Sequence, residues 1–334
     1  MYIVEIPSVD DYPRMLEVWE ASVRATHQFV MEEKIRLLKN MIVEQRLFEK
    51  SDLFCLRDAE GRVSSFAGTS GNSLDMLFLH PDIIGTGAGK ILMSYALGTK
   101  QVTRVDVNEQ NTNALNFYRR FGFEVIGRSE TDDNGQPFPL LHMQLNSSPG
   151  NVLIDLPEPV LVRRAEAADL EELIVISKQT YFETFYEDFN GPAAFNAYTN
   201  EIFSAGRLQV ELADPDSAFY FAIYQQQIAG YYKINYNTAQ TLFQGHHSAE
   251  IERIYVKAAF QRQQIGKMLL HNSIVTAKRK GTEQIWLAVW EHNNKAIAFY
   301  ESNGLTFFDR HNYSVAGDPQ TDRLMRIDLK KPNR

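Results

Sequence analysis

The first residues whose types and spacing could do chemistry form a glycine-rich turn. Gly85, Gly87 and Gly89 alternate with other residues, and Lys90 follows directly. An apolar run ending at Leu79 predicts a strand before the turn, and the apolar residues after it predict a helix. The start of a helix offers free N–H groups and positive potential, so glycines there and a lysine favour a phosphate-bearing ligand. A turn without a ligand is the alternative interpretation.

The turn does not fit the common nucleotide-binding motifs. A P-loop requires G-x-x-x-x-G-K-[ST], but Ile84 stands where the first glycine is needed and Ile91 where the metal-binding hydroxyl is needed. A dinucleotide fingerprint requires G-x-G-x-x-G, and this segment has G-x-G-x-G. Nucleotide hydrolysis is therefore disfavoured.

The chain repeats itself at the scale of a domain. Residues 107–123 (VNEQNTNALNFYRRFGF) and 289–305 (VWEHNNKAIAFYESNGL) share the frame V-x-E-x-N-x-x-A-x-x-F-Y-x-x-x-G at an offset of 182. Residues 74–92, which include the turn, match residues 251–269 at an offset of 177. Repetition of this length predicts two copies of one structural unit.

The copies define the expected domain organisation. Asp11 matches Asp169 at an offset of 158, near the start of each copy, and the growing offset indicates extra residues in the second copy. The chain between the copies is rich in Asn, Ser, Pro and Gly, which is typical of turns and linkers. We expect one domain over residues 1–146, a linker over 147–158 and a second domain over 159–334.

Periodicity predicts the same order of elements in both copies. In the first copy we expect strands over 2–6, 53–56, 63–69, 74–79, 103–107, 123–127 and 139–145, and helices over 10–25, 31–48, 87–99 and 111–121. The second copy repeats this order with longer helices between 168 and 212. This mixture predicts an α/β (α+β) fold, in which a central mixed sheet carries helices on both faces.

Each copy thus has a loop followed by a helix that carries an asparagine and a Phe-Tyr pair. Two copies of this order resemble the GCN5-related N-acetyltransferase (GNAT) family. The family's loop, Q/R-x-x-G-x-G/A, holds the pyrophosphate of acetyl-coenzyme A, and its later helix carries the Asn and the Tyr. The first copy departs from this pattern at Ile84, and the second has Gln264 in place of the first glycine. The second copy is similar to PaiA-like spermidine/spermine acetyltransferases through residues 250–256, 286–300 and 317–322. The first copy is similar to small bacterial members through residues 22–27 and 138–143.

The resemblance implies two tandem acyltransferase domains, each with a mixed, mostly antiparallel sheet flanked by helices. The implied reaction is acetyl transfer from acetyl-CoA to a small primary amine, by direct attack in a ternary complex. A polyamine is a candidate acceptor for the second copy. Two rival interpretations stay open: only one domain is catalytic, or the protein binds acyl-CoA without turnover.

The chemistry of acetyl transfer gives expected catalytic roles. Tyr118 and Tyr300 are predicted to protonate the leaving thiolate, because a phenol with a pKa of about 10 stays protonated at neutral pH while a thiol has a pKa of about 8.5. Glu252, and Asp75 at the matching position of the first copy, are the predicted bases. A free alkylammonium lies about 6 pKa units above a carboxyl group, so the site must narrow that gap or relay the proton through water. Core packing of the tyrosines and solvent exposure of the carboxylates are the alternatives.

The resemblance also implies which residues hold the cofactor. Strand backbone is expected to contact the pantetheine arm, the loop to bind the pyrophosphate, and the helix asparagines to contact the arm, although Asn111 and Asn293 could simply cap their helices. The predicted cofactor-binding residues are Phe78, Leu79, Gly85, Gly87, Gly89, Lys90 and Asn111 in the first copy, and Tyr255, Val256, Gln261, Arg262, Gln264, Ile265, Gly266, Lys267 and Asn293 in the second.

The composition of the chain indicates which classes of partner to expect. The net charge is −8 and no basic cluster stands out, so we expect no nucleic-acid partner. The single cysteine, Cys55, lies in an apolar run and fits a reducing compartment, and we expect a cytoplasmic protein without a membrane-spanning segment. The histidines lack metal-binding spacing, although His27 is a weak candidate for the first copy's pocket. Acids and aromatics mix over residues 181–188, either as a cation-binding surface or as an amphipathic helix with a solvated face. Oligomerisation is left open.

Overall fold

The structure, a computed structural model, describes residues 2–27, 30–132, 135–146, 158–189, 191–242, 245–315 and 318–329. The chain divides into two compact units, residues 1–160 and 161–334. All of the predicted linker except Glu158 lies outside the described residues, as does Gly317 of the PaiA-like segment. The two units are described separately.

The first unit is a seven-stranded sheet with helices. Its strands are β1 (Ile3–Glu5), β2 (Asp52–Arg57), β3 (Val63–Ser70), β4 (Ser73–Leu79), β5 (Arg104–Asn108), β6 (Phe123–Ser129) and β7 (Leu140–Leu145). Its helices are α1 (Tyr12–Thr26), α2 (Glu32–Glu44), α3 (Leu47–Lys50), α4 (Ala88–Gly98) and α5 (Thr112–Arg120). The strand order is β1-β2-β3-β4-β5-β7-β6, and every pair is antiparallel except β4 with β5.

The second unit repeats this topology. Its strands are β8 (Val160–Arg164), β9 (Ser217–Tyr224), β10 (Gln227–Tyr236), β11 (Ser248–Val256), β12 (Gln284–Trp290), β13 (Thr306–Val315) and β14 (Asp318–Asp328). Its helices are α6 (Leu170–Phe185), α7 (Pro192–Ile202), α8 (Ala205–Ala213), α9 (Ile265–Arg279) and α10 (Asn294–Ser302). The order β8-β9-β10-β11-β12-β14-β13 has one parallel pair, β11 with β12. The predicted mixed, mostly antiparallel sheet is confirmed in both copies.

Helices cover both faces of each sheet. Successive side chains of a strand point to opposite faces, so one strand packs against both layers of helices. In β2, buried Cys55 packs in a cluster with residues of α1 and α2, while the ring of Phe54 lies 4.8 Å from that of Tyr95 in α4. In β10, Tyr231 packs in a cluster with residues of α6 and α8, while the Tyr232 hydroxyl donates to Asn272 Oδ1 of α9 at 2.7 Å. Cys55, which the sequence places in an apolar run, is thus a buried core residue with a free thiol.

The prediction of one helix over 31–48 was wrong, because the chain breaks there into α2 and α3. Arg46 adopts a φ of 52°, a left-handed conformation that a right-handed helix cannot continue through. The break turns Phe48 into the core, where its ring centroid lies 5.5 Å from that of Phe66. The other predicted elements of the first copy are present, with ends shifted by one or two residues.

The matched aspartates at the two domain starts each pair with an arginine. Asp11 accepts from both terminal nitrogens of Arg57 at 2.8 and 2.9 Å, and Asp169 accepts from those of Arg163 at 2.7 Å each. Each carboxylate also accepts a backbone N–H three residues earlier at 2.8 Å. The pairs differ in burial, since the Arg57 side chain is 4% exposed and that of Arg163 is 29% exposed.

We predict that Asp11→Ala destabilises the protein more than Asp169→Ala. Asp11→Ala leaves the buried Arg57 with Glu5 as its remaining carboxylate, at 2.9 Å, so the cost lies between about 1–3 kcal/mol for charged hydrogen bonds and about 3–5 kcal/mol for breaking a buried pair. Asp169→Ala removes charged hydrogen bonds to a more hydrated arginine and should stay at the lower end of that range. Urea denaturation followed by circular dichroism gives both changes in unfolding free energy. Both variants lose the same local backbone hydrogen bond, so equal losses would contradict the assigned role of burial.

Candidate active site

In each unit a cleft opens where two parallel strands separate. Pairing between β11 and β12 covers Ser248–Glu250 against Gln284–Trp286, although the strands run on to Val256 and Trp290. In the first unit, pairing between β4 and β5 likewise ends at Leu74 and Val105. Past these points one edge of β4 and of β11 faces an open cleft, where its backbone groups are available to a ligand.

A β-bulge sits at the mouth of each cleft. Lys233 pairs with Arg253 and Ile234 with Ile251, which leaves Glu252 as the extra residue of β11. In the first unit the same shift between β3 and β4 leaves Asp75 as the extra residue. Bulges re-aim side chains and are common beside active sites. The two residues that the sequence matched at an offset of 177 therefore occupy equivalent structural positions.

The loop has the same backbone conformation in both units, although the first two glycines of the first unit are replaced by other residues in the second. In the first unit Gly85 and Gly87 have φ values of 86° and 97°. The residues at the matching positions, Arg262 and Gln264, have φ values of 62° and 63°. Non-glycine residues adopt this conformation only at a cost of about 1–2 kcal/mol each, which the surrounding structure must offset. Each loop leads directly into a helix, α4 or α9, whose first N–H groups can bind an anion.

The third glycine of the loop allows close packing of the helix that follows. A Cβ at Gly89 would lie 3.4 Å from the ring of Phe117 and 3.6 Å from Leu79. At Gly266 it would lie 3.7 Å from Val256 and 3.8 Å from the ring of Phe299. The loop, the strand and the Phe-Tyr helix of each repeat thus meet at this residue.

A cavity of about 830 Å³ occupies the cleft of the second unit. It brings together most of the residues predicted for the second copy, namely Val256, Gln261, Arg262, Gln264, Gly266, Lys267, Asn293 and Tyr300. Three predicted residues do not line it: Ile265 is buried, and Tyr255 and Glu252 line a second cavity instead. A helix start with an arginine, a lysine and an open strand edge fits a pyrophosphate-bearing ligand such as coenzyme A.

The asparagines and tyrosines of the repeated helix have the same local roles in both units. Asn111 and Asn293 are N-caps, whose Oδ1 atoms each accept a backbone N–H three residues on at 3.1 Å. Asn111 Nδ2 also lies 3.3 Å from His27 Nε2, which brings the two side chains together. Burial raises the pKa of Tyr118 and of Tyr300, so both phenols stay protonated at neutral pH and can act as proton donors.

The remaining predicted residues of the first unit lie along the same cleft-forming elements. Phe78 and Leu79 are half-buried at the end of β4, Gly85 and Lys90 are exposed, and Asp75 is exposed on its bulge. Solvent exposure was the alternative interpretation of Asp75.

A second cavity of about 490 Å³ adjoins the first in the second unit and shares Phe185 and Trp290 with it. Its wall is largely aromatic and includes Tyr181, Phe185, Tyr198, Tyr255, Trp290 and Tyr313. Three carboxyl groups, Glu250, Glu252 and Asp322, also line it. The predicted cation-binding surface over 181–188 thus contributes aromatic rings to the cavity, while Glu183 accepts from the Ala258 N–H at 2.7 Å instead.

The predicted role of Glu252 as general base disagrees with its surroundings. Its carboxylate lies 2.5 Å from Lys233 Nζ and 2.9 Å from Arg253 Nη2, and it accepts from Asn235 Nδ2 at 2.7 Å. Although burial opposes ionisation, the adjacent guanidinium and ammonium groups lower the pKa of Glu252 to about 2. Such a carboxylate is a weak base, and Glu252 instead shares the two buried cations with Glu211, which lies 2.9 Å from Lys233 Nζ and 3.2 Å from Arg253 Nη1.

The other two carboxyl groups of the cavity were not singled out from the sequence. Burial raises the pKa of Glu250, which accepts hydrogen bonds from the Thr241 backbone N–H (2.6 Å) and hydroxyl. Burial also raises the pKa of Asp322, which accepts from the Tyr313 hydroxyl at 3.1 Å. Among the described residues neither makes an ion pair. Both are therefore better matched to accept a proton from an amine than Glu252.

Comparison with known proteins identifies the family. A model described as "Acetyltransferase (GNAT) family" matches residues 179–305, and one described as "Acetyltransferase (GNAT) domain" matches residues 25–147. The chain belongs to the GNAT acetyltransferase family. It is an acetyl-CoA-dependent N-acetyltransferase with two GNAT domains, as the resemblance of its sequence implied.

Several relatives correspond to about half of this tandem GNAT protein. An uncharacterized N-acetyltransferase in the pepI 3' region of Lactobacillus delbrueckii subsp. lactis is 35% identical over 167 residues, 50% of this chain and 96% of its own. Peptidyl-lysine N-acetyltransferase YjaB of Escherichia coli (strain K12) is 36% identical over 129 residues, 39% of this chain and 86% of its own. Spermidine N(1)-acetyltransferase of Thermoplasma acidophilum is 24% identical over 152 residues, 44% of this chain and 89% of its own.

No group of three or more His, Cys, Asp or Glu side chains in the described parts of the chain is arranged to hold a metal ion. No helix in those parts combines the length and the apolar composition needed to cross a bilayer.

We predict that Glu252→Gln lowers the stability of this tandem GNAT protein at pH 7 by about 3 kcal/mol. This is the value of a pKa shift from 4.5 to about 2, at about 1.4 kcal/mol per unit. Because the folded pKa is depressed, this stabilisation is present above pH 4.5 and is lost as the pH falls towards 2. Wild type and variant should therefore converge in urea denaturation as the pH is lowered.

Glu250→Gln is the matched control on the same strand. The pKa of Glu250 is raised, so its contribution to stability is present at low pH and is lost as the pH rises through the folded pKa. A neutral glutamine there should leave stability at pH 7 equal to or above that of wild type. A Glu252→Gln variant as stable as wild type at pH 7 would contradict the role given to the ion pairs.

Proposed function

We propose that the second unit acetylates a primary amine of a small polycation, with acetyl-CoA in the larger cavity and the amine in the smaller one. The observation that carries the proposal is that the two cavities share Phe185 and Trp290, so that ligands in both would meet there. Tyr300 lines the cofactor side, while Glu250 and Asp322 line the acceptor side.

The smaller cavity suits an alkylammonium group. Aromatic faces attract cations and carboxylates pair with them, so its wall offers both kinds of contact. Glu252 is neutralised by Lys233 and Arg253, which leaves Glu250 and Asp322 to meet a cationic acceptor. The relatives named for spermidine and for peptidyl-lysine acetylation both act on aliphatic amines, which supports this acceptor class.

The proposed reaction is direct attack in a ternary complex. The neutral amine nitrogen attacks the thioester carbonyl carbon, the C–N bond forms and the C–S bond breaks. The leaving thiolate takes the phenolic proton of Tyr300, and the amine proton passes to Glu250 or Asp322, directly or through water. The raised pKa of both carboxyl groups narrows the gap to an ammonium group. An acetyl-cysteine intermediate would need a thiol, and the single cysteine, Cys55, is buried in the core of the first unit.

We propose the corresponding reaction for the first unit, with Tyr118 as the acid. Its strand fork, its bulge and its loop have the same form as those of the second unit. We also propose that the first domain ends at residue 146 and the second begins at residue 159. We propose a cytoplasmic location for the protein.

We predict that Tyr300→Phe lowers kcat for spermidine acetylation by about 10²-fold or more, because the leaving thiolate loses its proton donor. Release of coenzyme A measures turnover, and calorimetry should show unchanged coenzyme A binding. Tyr118→Phe tests the first unit in the same assay across an amine panel that includes a lysine peptide. If only one of the two substitutions lowers kcat, whichever amine of the panel is used, the two-site proposal fails.

Tyr236→Phe provides the control for removing a buried phenol from the second unit. Tyr236 is buried, lies outside both cavities and its hydroxyl has no hydrogen-bond partner in the described part of the chain. This variant should keep wild-type kcat. A loss equal to that of Tyr300→Phe would show that the assay reports folding rather than proton donation.

We also predict that Asp322→Asn raises KM for spermidine by about 10-fold or more, the effect of losing about 1.4 kcal/mol of ionic contact. The increase should be smaller for a monoamine, which lacks the two additional charged amines of spermidine. Asp328→Asn is the matched control, because Asp328 is exposed at the end of the same strand. An equal change for the monoamine and spermidine would remove Asp322 from acceptor binding.

A further inference from the structure

Three side chains of the first unit form a hydrogen-bonded chain that the acetyl-transfer mechanism does not use. Ser129 Oγ lies 2.7 Å from His142 Nε2, and His142 Nδ1 lies 2.8 Å from Asp106 Oδ1. The residues stand on the adjacent strands β6, β7 and β5. Asp106 and His142 are direct cross-strand partners, so the pairing of the strands fixes their contact.

The contacts set the direction of the hydrogen bonds. An ionised carboxylate can only accept, so His142 Nδ1 carries the proton and donates it to Asp106. A neutral imidazole has one donor and one acceptor nitrogen, so Nε2 accepts from the Ser129 hydroxyl. This is the arrangement in which a histidine takes the proton of an attacking serine while an aspartate fixes its tautomer.

A bulge in β6 lies beside the histidine. Gly127 lies opposite His142, and the shift in pairing between Val125 and Gly127 leaves Ile126 as the extra residue. A Cβ at Gly127 would stand 3.5 Å from His142 Cδ2, which is ordinary van der Waals contact, so Gly127 and the ring are close neighbours. Ser129 follows two residues later on the same face of β6.

The chain of contacts is open to solvent and lies on the acceptor side of the first unit. The side chains of His142 and Asp106 are 35% and 50% exposed. At the repeat offset of 182, Asp106 corresponds to Ala288, which lines the acceptor cavity of the second unit. Ala288 pairs with Leu324 there, so the second unit has no counterpart of the aspartate and the histidine.

We propose that Ser129 is an activated nucleophile that accepts an acyl group from a small ester or thioester. Ser129 Oγ attacks the acyl carbon and its proton passes to His142 Nε2. The leaving alcohol or thiol takes that proton as its bond to carbon breaks, which leaves an acyl-serine. Water then attacks the acyl-serine, again with His142 as base, and releases the acid and the free serine. This activity is separate from amine acetylation.

A fluorophosphonate probe tests the nucleophile directly on the full-length protein. We expect one covalent adduct, which peptide mass spectrometry places on Ser129. His142→Gln should slow labelling by about 10²-fold or more, because the serine loses its base. Asp106→Asn should slow it as well, because the imidazole is no longer held in the required tautomer. Circular dichroism checks that both variants are folded.

Ser70→Ala is the matched control, because Ser70 is exposed on β3 of the same unit. This variant should keep wild-type labelling, and Ser129→Ala should abolish it. An adduct elsewhere, no adduct, or labelling of Ser129 that is unaffected by His142→Gln in a folded protein would each overturn the proposal.

Two further arms identify the source of the acyl group. A burst of p-nitrophenol from p-nitrophenyl acetate that Ser129→Ala abolishes would support an ester substrate. Release of coenzyme A from acetyl-CoA without amine, also lost in Ser129→Ala, would support a thioester. Absence of Ser129-dependent acyl release in both arms would overturn the acyl-transfer step.

Discussion

The structure depends on two parallel strands that pair for only a few residues and then separate. A sheet normally satisfies its backbone groups by continuous pairing, so a fork leaves one strand edge open in the middle of each unit. The strand with the open edge leads into the loop that starts the next helix, which places strand N–H groups, helix N–H groups and loop cations around one space. A long, flexible thioester with a pyrophosphate at one end matches that arrangement.

The bulge beside the fork decides what its carboxylate can do. In the second unit the bulge residue, Glu252, meets Lys233 and Arg253 and is held ionised. Glu250, two residues earlier on the same strand, is buried among neutral donors, and its pKa rises. The pKa values of two carboxylates on one strand thus shift in opposite directions, because one environment supplies positive charge while the other supplies burial and neutral hydrogen-bond donors.

The two units use one fold with different side chains around the strand that follows the fork. The second unit has aromatic rings and carboxylates around its smaller cavity. The first has an aspartate, a histidine and a serine in hydrogen-bonded sequence on three strands. Backbone geometry is common to both copies, while the chemistry offered to a second substrate is particular to each. Duplication of a fold therefore need not duplicate its specificity.

Much of the fold and part of the site were predictable because they are local. The order of strands and helices follows from hydrophobic periodicity, and the internal repeat marks the loop and the Phe-Tyr helix twice. The break at Arg46 was missed, because a charged residue in a left-handed conformation has no periodic signal and the reason for it is the packing of Phe48.

The sequence by itself determined the family, the repeat and the positions of the loop and the Phe-Tyr helix in each copy, since each belongs to a short contiguous pattern. Only the tertiary structure decided which carboxylates can accept a proton, because the pKa of Glu252 and of Glu250 depends on partners on other elements, such as Lys233 for Glu252 and Thr241 for Glu250. The contact between Ser129, His142 and Asp106 was likewise out of reach, because strand pairing alone joins residues that are 13 and 36 positions apart. Electrostatics and hydrogen bonding act through space. The spacing of residues along the chain predicts their distance in space only within a single helix or strand.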